Sequence, residues 1–198
     1  VKQNALNLYQ DITREMEKKH KKIHQLRVKV IAFRDYIADG EEAMLSSEFF
    51  TLPEQAEMLR DCVEGIHAKG GGDIPEDGLE ALAYAIRSDW TREGIKKRHI
   101  IVVWSDAPTH ELGHGKIAPW YPEGMAKDFD ELPLWWEDEQ LGGCMDENAK
   151  RLLIFAPDAP EWNRISSEWG QVIHVQTVSE GLEDVEYSQV LDSVCNTI

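Results

Sequence analysis

The apolar positions of the first twenty residues recur at three- and four-residue steps. Val1, Ala5, Leu8, Ile12 and Met16 form one stripe, and the spacing predicts an amphipathic helix over 1–20. "RVKVIAF" (27–33) is short and rich in β-branched residues and reads as a strand. "EFFTL" (48–52) reads as a brief edge strand, and Pro53 opens a helix over 53–67. A glycine-rich loop, "KGGGD" (69–73), precedes a helix over 75–90. "IIVV" (100–103), "RLLIFAP" (151–157) and "VIHVQTV" (172–178) are apolar runs of the kind found in strands buried on both faces. Helices over 159–169 and roughly 183–194 separate and follow the last two.

Strands alternating with helices predict an α/β fold with a doubly wound, mostly parallel sheet and helices on both faces. Residues 111–148 break the alternation. They hold Trp120, Tyr121, Phe129, Trp135 and Trp136 among prolines, glycines and acids, and read as a rim insertion with a short helix near 123–138. If strand 27–34 runs up, segment 48–52 returns, helix 53–67 climbs and helix 75–90 descends. Strand 99–104 then delivers "SDAPTH" to the same end as the glycine loop. Asp73 and Asp106 are thus expected to share the carboxyl ends of the strands, where open α/β sheets bind ligands.

At 198 residues the chain has the length of one domain, 1–198. No apolar run approaches the ~20 residues of a membrane span. The net charge is −16, distributed unevenly. Residues 1–35 carry nine Lys and Arg against four Asp and Glu, and the remainder carries twelve against thirty-three. Such a body repels nucleic acid and anionic membranes at long range. "KKHKK" (18–22) reads as a solvated helix end. Cys62, Cys144 and Cys195 are sparse and without CxxC spacing, which suggests reduced thiols and a cytoplasmic setting.

"GGGDIPEDGLEAL" followed by "HIIVVWSDAPTH" resembles the von Willebrand factor A (vWA) domain, in particular its bacterial intracellular members. The resemblance implies a non-catalytic protein-interaction module. Its metal ion-dependent adhesion site would hold Mg²⁺ (or Mn²⁺ or Ca²⁺) at the top of the sheet and capture an exposed Asp or Glu of a partner protein. Asp106 matches the acid after the family's fourth strand, and Asp73 stands where the family has a threonine. The family's Asp-x-Ser-x-Ser segment has no match here. It precedes the family's first helix, whereas here the first helix begins at Val1. The resemblance therefore implies an N-terminally incomplete site whose main ligands come from upstream, with little or no divalent binding in their absence. It also implies a missing central strand between 27–34 and 99–104. The resulting slot of ~9–10 Å is one that upstream residues, another chain or a rearranged sheet would fill. The expected partner-binding rim comprises Arg34, Asp35, Gly72, Glu76, Thr109 and His110.

"HELGH" (110–114) spells a zinc-peptidase motif, with His110 and His114 as ligands and Glu111 as general base. It supplies the alternative reading, a zinc-dependent metallohydrolase. That mechanism needs a helix at 110–114, while Pro108, Gly113 and Gly115 predict a loop. Glu131 or Glu137 would be the downstream carboxylate. Gly70, Gly71 and Gly72 precede a helix and suit either a phosphate cradle or a tight turn, and Asp73, Glu76 and Asp77 favour a cation over a phosphate. Arg34 and Asp35 suit either a partner contact or a pair with each other. The aromatic insertion suits a recognition surface or packing onto its own domain. His24, His67, His99 and His174 have no ligand spacing.

Overall fold

A computed structural model describes residues 2–67, 72–137, 144–177 and 187–198. The chain is a mixed α/β protein whose contacts group into two compact units. One comprises Val1–Val30, Ser46–Lys69 and Val185–Ile198, and the other Ile31–Leu45 and Gly70–Asp184.

The first unit contains α1 (Lys2–Lys18) and β1 (Leu26–Val28). The expected strand 27–34 is divided: β1 is followed after two residues by β2 (Ile31–Phe33). The break arises because the two halves take different partners. β2 pairs with β3 (Met44–Ser46), and β1 pairs antiparallel with β4 (Phe50–Leu52), Leu26 opposite Leu52 and Val28 opposite Phe50. That antiparallel pairing fits the return expected of segment 48–52. Helix α3 (Ala56–Gly65) buries Leu59 and Val63 against Phe50 and Leu52. Ile12 and Met16 of the α1 stripe are buried, and Tyr187 of α7 (Tyr187–Thr197) donates its hydroxyl to Asp11 Oδ2 at 2.6 Å. The expected start of that last helix, at 183–186, lies outside the described residues.

The second unit is organised by a three-stranded parallel sheet. β5 (His99–Trp104), β6 (Lys150–Pro157) and β7 (Val172–Thr177) lie in that order, with Val102 opposite Leu153 and Ile154 opposite His174. β6 is central and its residues 152–157 are all buried, as its unbroken apolar run requires. β7 departs from expectation. Among the described residues it is an edge strand with Ile173 half exposed, because a strand with one neighbour has a side open to water. Among the described residues β5 has a strand neighbour on one side only, and β2 is not hydrogen-bonded to it.

Helix α4 (Gly78–Ile86) begins three residues later than the apolar pattern suggested, because Glu76 and Asp77 bond to other segments. Its Leu79, Leu82 and Ile86 join Ile101 and Val103 of β5, Leu152 and Ile154 of β6, and Trp162 and Ile165 of α6 (Pro160–Glu168) in one apolar core. Fully burying each such side chain stabilises by about 1.5–3 kcal/mol before entropy is counted. The 111–148 segment contributes α5 (Leu132–Glu137), whose Leu132, Trp135 and Trp136 enter the same core. Trp120 stays exposed, so this aromatic segment divides between packing and surface. No helix among the described residues is long and apolar enough to cross a membrane.

Candidate metal centre

Three connections of the second unit meet at one place. They are 34–36 after β2, 72–78 before α4, and 105–114 after β5. Glu76 and Thr109 form a parallel bridge, in which Glu76 N–H donates to Pro108 O (3.1 Å) and His110 N–H donates to Glu76 O (2.9 Å). Asp77 N–H donates to Arg34 O (3.2 Å), and the Asp77 carboxylate accepts from Tyr36 N–H at 2.6 Å. Leu79 N–H, in the first turn of α4 and thus without a helical partner, donates to Thr109 Oγ1 at 3.1 Å. The expected convergence of the loop after β5 with the loop before α4 is therefore carried by backbone hydrogen bonds.

Within this knot Asp35, Asp73 and His110 each present one donor atom, all within 4.8 Å of one another. Among the described residues it is the one such group of three. Asp35 is buried and caps the short helix α2 (Tyr36–Asp39), its Oδ1 accepting from Ile37 N–H at 2.7 Å. Its other oxygen, Oδ2, faces Gly72. A Cβ at Gly72 would lie 2.7 Å from that oxygen and 2.9 Å from Ala38 Cβ, so only glycine permits this approach. Asp73 has a mostly exposed side chain, and its Oδ1 lies 3.3 Å from His110 Nε2. His110 is 7% exposed, and its buried Nε2 makes no hydrogen bond among the described residues. The pair is close without being a directional hydrogen bond.

These three donors fit a divalent ion. Bonds of ~2.1 Å place ligand atoms roughly 3.4–4.2 Å apart. His110 Nε2 and Asp73 Oδ1, at 3.3 Å, are already at that spacing, and the Asp35 oxygen lies within 4.8 Å of both. Two carboxylates with one imidazole suit Mn²⁺ or Zn²⁺ better than Mg²⁺ or Ca²⁺, which favour all-oxygen shells.

Buried acids adjoin the same connections. Asp77 and Glu80 are fully buried, and each leaves one carboxylate oxygen without a hydrogen-bond partner among the described residues. The other Glu80 oxygen accepts from Gly113 N–H (2.8 Å) and from the Tyr121 hydroxyl (2.9 Å). Gly113 adopts φ +90, and this left-handed turn aims its N–H at Glu80. Burial pushes the Asp77 and Glu80 carboxyls above the usual range, opposed by the N–H groups of Tyr36 and Gly113 respectively. Glu76 is pushed up to about 7, first by burial and then by the charges of Asp39, Asp35 and Asp77.

The HELGH segment is not an α-helix. Residues 111–113 form a turn, and His114–Ile117 make one 3₁₀ turn. The His110 and His114 rings stack with centroids 3.9 Å apart and planes 9° from parallel. Imidazole lone pairs lie in the ring plane, so two rings stacked this way direct their nitrogens along parallel lines rather than at one ion. Glu111 is exposed.

Asp106, expected as a metal ligand with Asp73, is exposed and outside the triad, and Arg34 of the expected rim pairs with Glu42 at 3.7 Å. Gly70 and Gly71 lie outside the described residues. Nothing in the sequence reading points to Glu80 or Tyr36, while Asp77 enters it only among the acids that favour a cation and Tyr121 only as part of the aromatic insertion. One signal was available: Glu80 is the single charged residue in "GLEALAYAI" and lies three residues after Asp77, on the same helix face.

No protein-family model matches the chain, and no curated protein matches it.

Proposed function

We propose that the second unit is a non-catalytic protein-interaction module of vWA type, in which a divalent ion held by Asp35, Asp73 and His110 captures an exposed carboxylate of a partner protein. The observation that carries this reading is the buried His110 Nε2, without a hydrogen bond among the described residues and within 4.8 Å of two carboxylate oxygens that belong to different loops. Three protein ligands leave coordination positions open, and the exposed Asp73 puts them on the solvent side. In this reading the parallel β5-β6-β7 sheet is part of a doubly wound sheet. Asp106, Glu76, Gly72, Thr109 and Arg34 form the rim. Asp106 is then an outlying acid rather than a ligand. The three thiols, none in a disulfide, accord with a cytoplasmic setting. The donor set moves the expected ion from Mg²⁺ to Mn²⁺ or Zn²⁺.

The non-catalytic form of the reading is supported by the stacked histidines, since a zinc hydrolase built on HELGH needs both rings on one ion. Calorimetric titration of EDTA-stripped protein with Mn²⁺ and Zn²⁺ tests the proposal. The wild type should bind one ion per chain, and Asp73→Asn should weaken binding more than about tenfold. Unchanged affinity in that variant contradicts the site, and zinc-dependent peptide hydrolysis contradicts the function.

A further inference from the structure

Beside α2 lies a groove of about 450 Å³, walled on one side by Tyr36, Ile37, Ala38, Asp39 and Gly40 and on the other by residues 117–120. This volume falls in the range of sites that enclose a ligand group. Its lining leaves large apolar side chains in water: Ile37 is 46% exposed, Ile117 83% and Trp120 56%. The Trp120 indole edge approaches the Gly40 backbone, with Cδ1 3.5 Å from where a Cβ would stand. The groove contains one ionisable group besides the Tyr36 hydroxyl, the Asp39 carboxyl. Among the described residues no cation pairs with that carboxylate, and its charge bears on the neighbouring Glu76. Glu41 and Glu42 follow on the 3₁₀ turn after Asp39, and the chain carries a net −16.

An apolar slot with an exposed indole and one unpaired carboxylate is complementary to a side chain that joins an aliphatic stem to a cationic head. We propose that this groove receives an arginine side chain of a partner protein. Its methylene stem packs between Ile37 and Ile117, its guanidinium plane lies against the Trp120 ring, and its N–H groups donate to Asp39. Arginine is favoured over lysine because a planar guanidinium stacks on an indole while bonding a carboxylate. The acidic body of the chain draws such a segment in at long range.

The test is an amide and indole NMR titration of the ¹⁵N-labelled full chain, in EDTA, with n-butylguanidinium and with its neutral counterpart n-butylurea. The guanidinium should shift the Trp120 indole and the Gly40 and Ile37 amides in a saturable way. n-Butylurea should bind at least about fivefold more weakly, as expected when a charge-assisted hydrogen bond is lost. Asp39→Asn, checked by a spectrum otherwise superimposable on the wild type, should remove that difference. If Asp39→Asn does not fold, Trp120→Ala should instead weaken guanidinium binding by a similar factor. Equal binding of both probes means an apolar occupant and overturns the proposal. So do saturable shifts elsewhere alone, or shifts at these positions that follow protein concentration without probe, which would mark contact with a second copy.

Discussion

His110 and His114 lie with their rings face to face, 3.9 Å apart and nearly parallel, yet only His110 has its Nε2 beside the carboxylate of Asp73. The two histidines of one five-residue motif are therefore placed for different tasks. Substituting each by alanine separates them. His110→Ala should lower Mn²⁺ or Zn²⁺ affinity by more than about a hundredfold, beyond the 10–100-fold typical of residues that merely support a ligand. His114→Ala should stay within about tenfold. Equal losses in both, read by calorimetry, would restore the chelating pair of a zinc peptidase.

Gly72 tests whether Asp35 belongs to the site. An added methyl at Gly72 sits 2.7 Å from Asp35 Oδ2, so that carboxylate has to move away from Asp73 and His110. Gly72→Ala should therefore weaken ion binding about tenfold or more. It should also cost some stability, because the same methyl lies 2.9 Å from Ala38 Cβ, so ion affinity is compared on folded protein. An unchanged dissociation constant would remove Asp35 from the ligand set.

The buried acids predict a direction for the pH dependence of stability. Glu76 has an ordinary value of 4.5 and is pushed up to about 7 in the folded protein. The folded state thus holds this proton more tightly than the unfolded state does. The stability linked to it is fully present below 4.5 and is lost as pH rises through about 7. In EDTA, the melting temperature of the wild type minus that of Glu76→Gln should fall between pH 5 and pH 8. A difference that is flat or rises over that window contradicts the assignment.

Thr109 holds the start of α4 to the segment after β5. Its hydroxyl oxygen accepts from Leu79 N–H at 3.1 Å, and the residue is 3% exposed. Thr109→Val keeps the shape and leaves that buried N–H unpaired, at a cost of about 1–3 kcal/mol in urea denaturation. A loss below about 0.5 kcal/mol would mean that water or a shifted backbone replaces the hydroxyl.

What could be read from the sequence follows the range of the forces involved. β5 and β6 were legible because runs such as "IIVV" and "RLLIFAP" match only a strand buried within a sheet, and their parallel pairing follows from the helices between them. The meeting of the Asp73 and His110 loops was legible for the same topological reason. Asp35 was not foreseen as a ligand, because its orientation comes from capping a four-residue helix that no periodicity announces. The burial of Glu80 has no local signature, because it is set by tertiary contacts with Gly113 and Tyr121. In the 111–148 segment, Trp135 and Trp136 enter the core while Trp120 faces water. No local pattern distinguishes these rings, since the choice is made by the surface onto which each one folds.

The most direct measurement is an anomalous difference map from crystals grown with Mn²⁺ or Zn²⁺. One strong peak is expected about 2.0–2.3 Å from a carboxylate oxygen of Asp35, one of Asp73 and the Nε2 of His110. A peak bound instead by both His110 and His114, or by Asp106 without Asp35, contradicts it, as does a saturating soak that leaves the three donors without density.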